Sequence, residues 1–80
     1  MKIPRDLTGT DLVKRLAKLG YATTRQTGSH LRLTSRVRGE HHLTIPLHDP
    51  LKLGTLAAIL SVVATHHGIT RDELLHTLFD

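Results

Sequence analysis

The spacing of apolar residues changes twice along this chain, and that change limits the fold more than any single residue does. Leu12, Leu16 and Leu19 recur at helical spacing, with Val13 and Ala17 beside them. Leu31 and Leu33 then alternate with His30, Arg32 and Thr34, and Leu43 and Ile45 alternate with His42 and Thr44. Strict alternation marks strands with one apolar and one polar face. Leu56, Ile59, Leu60 and Val63 return to helical spacing. A chain patterned this way must cover one side of a small sheet with helices.

Local signals set the boundaries. A helix is expected over residues 8–20, with Thr8 as N-cap, Asp11 facing the positive end of the helix dipole and Gly20 as the stop. Lys14, Arg15 and Lys18 fall on its polar side. They are expected to be solvated, or to widen an anionic footprint. Tyr21 to Gln26 is a first strand, less clearly patterned, and Gly28 marks the turn into the second. Residues 35–40 form a loop carrying Arg36 and Arg38, and residues 46–53 connect to a helix over 54–68. From Leu56 to Ala64 only Ser61 is polar, so that helix is covered on more than one side. Ile69 to Phe79 is a third helix, with Thr70 and Glu73 as a capping box and Ile69 and Leu74 as a hydrophobic staple.

The expected fold is therefore α+β. It is an α-β-β-β-α order with an additional C-terminal helix, and a three-stranded antiparallel sheet with helices on one face. That order is also found in double-stranded-RNA-binding domains, a likeness of fold alone. One domain over residues 1–80 is expected, since a chain this short buries only about 60% of its unfolded surface. Its site should lie on a surface or in a shallow groove.

Cysteine is absent, which excludes disulfides, thiolate metal sites and a cysteine nucleophile. No stretch approaches about 18 apolar residues, and the N-terminal MKIPRD has no signal-peptide core. A soluble cytoplasmic protein without membrane contact is the expectation. Charge is uneven: residues 1–52 carry a net +6, residues 53–80 a net −2. The first two thirds suit an anionic partner, although the overall +4 is ordinary for a small domain.

The chemistry concentrates at Gly28-Ser29-His30. Glycine allows close approach of a ligand, serine offers a hydroxyl to a phosphate oxygen, and histidine moves protons near neutral pH. Arg25, Arg32, Arg36 and Arg38 surround the triplet in sequence, and guanidinium groups bind phosphate oxygens in pairs. A proton-transfer group ringed by arginine is what phosphodiester cleavage needs. By itself the triplet is common, and an exposed strand histidine beside a turn is the simpler reading. The pairs His41-His42 and His66-His67 lack the spacing that places two ligands on one face, so no metal is expected. His66, His67 and His76 are expected to be solvated. Gly54-Thr55 is a helix start that could hold a phosphate, or simply a cap.

Three segments, RQTGSHLRLT, GEHHLTIPLHDPLKLGTLAAIL and HHGITRDELLHTL, together resemble the HicA family of toxin–antitoxin systems. Arg25-Gln26-x-Gly28-Ser29-His30, Thr44-Ile45-Pro46-x-His48 and Gly54-Thr55-Leu56-x-x-Ile59-Leu60 agree in order and spacing as well as in letters. The resemblance runs from about Asp11 to Leu78, and the ITRDELL-like tail is similar to one subgroup. It implies a double-stranded-RNA-binding-like fold and an mRNA interferase that cuts mRNA with His30 as the catalytic group. It also implies a HicB-like antitoxin that masks the site in a toxin–antitoxin hetero-oligomer.

The residues are compatible with that chemistry. No cofactor or metal is needed, because RNA carries its own nucleophile. Arg32 lies two residues from His30 on the same strand face and is placed to stabilise phosphate. Gly28, Ser29, Arg25, Arg36 and Arg38 join it as RNA-binding candidates. His42 and His48 are further RNA-binding candidates; His42 becomes a second proton-transfer group if its strand pairs beside His30, and His48, a position of the family motif, either contacts RNA or only shapes the loop. Two rival readings remain: a non-catalytic RNA-binding module, and a small protein-interaction domain. With one Tyr and one Phe, RNA contact should be led by phosphates and have low sequence specificity.

Overall fold

A computed structural model describes residues 2–80. The elements run α1 (Gly9–Leu16), a 3-10 turn (Ala17–Leu19), β1 (Ala22–Thr27), β2 (His30–Ser35), β3 (His41–Pro46), α2 (Leu53–His67) and α3 (Arg71–Phe79). The strands form one antiparallel sheet in the order β1-β2-β3. The class is α+β, in the order the apolar spacing predicts. No single helix among the described residues is long and apolar enough to cross a membrane.

Two of the three helix starts expected from sequence are capped by side chains; α2 instead begins at Leu53 with Lys52 at its N-cap and no side-chain cap, so Gly54 and Thr55 lie within its first turn. Thr8 Oγ1 accepts from the Asp11 amide at 3.0 Å, and the Asp11 carboxylate accepts from the Thr8 amide. Asp11 thus completes a capping box as well as meeting the dipole. At α3 the Glu73 amide donates to Thr70 Oγ1 and the Thr70 amide donates to Glu73 at 2.9 Å. Such caps stabilise by about 1 kcal/mol each. The first helix is shorter than expected, tightening into the 3-10 turn before Gly20.

One core joins the layers. Leu33, Leu43 and Ile45 from the sheet meet Leu12, Leu16, Leu56, Leu60 and Val63 from α1 and α2. Leu74, Leu75 and Leu78 of α3 are as deeply buried, so the C-terminal helix closes the core. Truncating any of these leucines to alanine would cost about 2–5 kcal/mol. Arg15 Nη1 and Lys18 Nζ both donate to the Leu78 carbonyl at the end of α3, at 3.4 and 3.3 Å. These two cations therefore serve a helix terminus, where sequence suggested solvated or RNA-facing groups.

The sequence expectation fails for His67. It is 4% exposed, and its Nε2 lies 3.0 Å from the Tyr21 hydroxyl. That hydroxyl also bonds His41 Nδ1 at 2.6 Å. His66 stacks on His41, with ring centroids 4.2 Å apart, and its Nε2 donates to the Val37 and Gly39 carbonyls. His76 is exposed as expected, between Asp72 and Asp80. The buried row of α2 runs Leu56, Leu60, Val63, His67. Helical spacing continued four residues past Val63 lands on His67, a signal the sequence contained.

Candidate functional site

Two residues, Gly28 and Ser29, turn β1 into β2. Gly28 has a φ of 56° at the first loop position, as a type II′ hairpin requires. The Ser29 carbonyl accepts from the Leu47 amide at 2.7 Å, which ties the turn to the end of β3. Gly9 fixes the other side of that junction: its amide donates to the His48 carbonyl, and a Cβ there would run into the Pro46 carbonyl.

The register sorts the open face of the sheet into rows. Thr27, His30 and Pro46 form the first, Arg25, Arg32 and Thr44 the second, and Thr34 and His42 the third. His30 and Arg32 are exposed while Leu33 beneath is buried and Leu31 partly so. A shallow pocket of about 200 Å³ is lined by Arg25, Thr27, His30, Arg32 and Thr44. A second, of about 330 Å³, shares Arg25 and Arg32 and adds Thr24, Thr34, Arg36, Glu40 and His42. The irregularity of β1 between Thr23 and Arg25 lets Thr24 reach Thr34, oxygen to oxygen at 3.1 Å.

Arg25 and Arg32 are direct cross-strand partners. Like charges directly opposite destabilise a sheet. Here they flank the pocket that holds His30, where a bound anion would reverse the sign of that interaction. No described residue bonds to the His30 side chain, so its ring is available to a ligand.

The other sequence candidates divide. Arg36 lines the second pocket, 3.8 Å from Glu40. His42 pairs with Thr34, two rows from His30, which is roughly 13 Å along the strands. That register removes it as a second proton-transfer group beside His30. Arg38 leaves the sheet face altogether: its guanidinium lies against Gly68 at the end of α2. His48 is exposed and lines neither pocket. Thr24, Thr27 and Glu40 line the pockets without having been singled out in the sequence. Thr27 was legible, because a two-residue turn makes it the partner of His30.

A larger hollow of about 720 Å³ lies among residues 2–5, the start of α2 and α3. It contains Gly54 but no strand residue and no histidine, so the helix start flagged in the sequence is apart from His30. Among the described residues, no three of His, Asp and Glu are grouped as a metal ion needs.

A family model described as the HicA toxin of bacterial toxin-antitoxin systems matches residues 9–64. No curated protein and no solved structure gives a significant match. The matched span holds α1, the whole sheet and most of α2, whereas α3 lies beyond it.

Proposed function

Because the chain belongs to the HicA toxin family of bacterial toxin–antitoxin systems, we propose that it is a metal-independent endoribonuclease that cuts mRNA and is neutralised by a HicB-like antitoxin. The observation that carries this reading is the Arg25–Arg32 pair set opposite each other beside an unpartnered, exposed His30. A sheet that sets two arginines directly opposite each other loses stability unless an anion offsets their repulsion. A phosphodiester is such an anion, and His30 is the proton carrier next to it.

The chemistry follows from the substrate. The ribose 2′-oxygen attacks phosphorus while neutral His30 takes its proton. Arg25 and Arg32 stabilise the charge that accumulates on the phosphorane oxygens. The bond to the 5′-oxygen breaks, and that oxygen leaves with a proton from solvent. The products are a 2′,3′-cyclic phosphate and a 5′-hydroxyl. Proton transfer of this kind contributes about 10²–10⁴-fold.

The test compares wild type and His30→Ala on one labelled RNA, with circular dichroism as the folding control. Cleavage and toxicity should be lost in the variant, with the fold intact. Wild-type cutting should survive a chelator and leave cyclic phosphate ends. Equal cutting by both proteins would end the proposal for His30. Salt-sensitive binding by both, with no cutting by either, would make the chain a non-catalytic RNA-binding module.

A further inference from the structure

We propose that the pocket beside the His30 site is a nucleobase subsite, in which His42 provides a stacking face and Glu40 accepts base N–H groups. The proposal rests on the reading that the ligand of this face is RNA.

The hydrogen bonds around His42 leave only its faces free. Its Nδ1 lies 2.8 Å from Thr34 Oγ1, and its Nε2 lies 3.2 Å from Glu40 Oε2. An ionised carboxylate only accepts, so Nε2 carries a proton, while Nδ1 is engaged by the Thr34 hydroxyl, which can serve as donor or acceptor. Thr34 is in turn met by Thr24 Oγ1 at 3.1 Å. This run of bonds holds the imidazole plane in place. A ring whose two nitrogens are already engaged has stacking to offer, and unstacked RNA bases pack on such flat groups.

Glu40 decides what sort of ligand fits. The first two rows of the face are cationic through Arg25 and Arg32, which the two pockets share. Beyond the third row, Glu40 of the loop before β3 adds a carboxylate to the lining of the second pocket, beside His42. Arg36, 3.8 Å from Glu40 Oε1, offsets part of its charge, and the acceptor capacity left on the carboxylate favours a base edge bearing amino or imino hydrogens. A phosphate held by the arginines would then carry its neighbouring base toward His42, one row or roughly 7 Å along the strands. Aromatic content alone implies little base recognition, because the count of Tyr and Phe overlooks the imidazole ring.

The experiment measures cutting of an RNA pool randomised around a single cleavage site, using wild type, His42→Ala and Glu40→Gln. Wild type should prefer one base over the least favoured by about fivefold or more at one fixed position from the cut, the discrimination a good side-chain contact gives. Both variants should flatten that preference, with their folds intact by circular dichroism. Superimposable profiles for all three proteins, or no base preference in wild type, would overturn the subsite. If wild type cuts no RNA, the nuclease reading falls, and the subsite is judged separately. The four nucleoside monophosphates and ribose 5-phosphate are then titrated against the His42 ring resonances. A saturable shift that depends on the base supports the subsite, and equal shifts with ribose 5-phosphate, or none, refute it.

Discussion

At the residue scale, Arg25 and Arg32 allow stability and the proposed cleavage to be tested apart. They face each other across an antiparallel pair, and no acidic side chain lines the pocket they share with His30. Replacing Arg25 with threonine should relieve repulsion, leaving stability unchanged or raised by roughly 0.2–1 kcal/mol. The same change should lower RNA cleavage by about 10- to 100-fold, a moderate loss because solvent screens exposed charges. Thermal melting and kcat/KM on the same preparations would check both. A variant that loses stability and keeps its cleavage rate would remove the phosphate clamp from the mechanism. Arg38 makes a useful contrast, since it shares the charge but lies against the end of α2. Its replacement should leave cleavage within about twofold, as expected of a change outside the contact surface.

At the scale of elements, the contact between β3 and the end of α2 is a pH-sensitive seam. Burial holds the imidazoles of His67 and His41 below their ordinary 6.5. His66 adds repulsion to both, His42 adds it to His41, and Arg38 adds it to His67. Burial also pushes the Tyr21 phenol up to about 12, so the hydroxyl between the two rings stays protonated. In the unfolded chain both histidines take up protons near 6.5, whereas in the folded seam they take them up only at lower pH. The unfolded state thus binds more protons as pH falls below about 6.5, and stability declines with it. Above that value the contribution is fully present. Denaturant midpoints between pH 7.5 and 5 should therefore fall as pH falls, and His67→Gln should flatten the slope. A midpoint independent of pH across that range would contradict the neutral seam.

At the scale of the whole molecule, the helices and the sheet divide the work. The core takes leucines from all three helices, including the α3 that the family match does not reach. The sheet leaves its far face to solvent, and β1 is exposed along its whole length. The +6 carried by residues 1–52 includes every arginine on that face. A toxin–antitoxin partner that covers the His30 pocket should bring acidic groups to it. Association should then slow markedly as salt rises, because attraction between exposed charges speeds encounter and is screened within about a Debye length. Stopped-flow association at several salt concentrations, with RNA cleavage assayed on the complex, would test this. A complex that leaves the His30 face open and cutting undiminished would exclude direct masking.

The sequence by itself determined whatever depends on near neighbours. Alternation placed His30 and Arg32 opposite Leu33, capping residues placed the starts of α1 and α3, and Gly28-Ser29 set the hairpin. Each signal acts over a few residues, where backbone sterics and local hydrogen bonds decide the outcome. Only the tertiary structure decided which distant residues meet. Register set Arg25 against Arg32 and set His42 against Thr34 rather than His30. The packing of α2 buried His67 against Tyr21, 46 positions away in the chain. The stripe of Leu56, Leu60 and Val63 pointed to the side of α2 that turns inward, but which residue of another element meets His67 there was set by packing alone. Arg38 shows the same limit, because its direction follows from a loop backbone at positive φ and the end of α2 beside it.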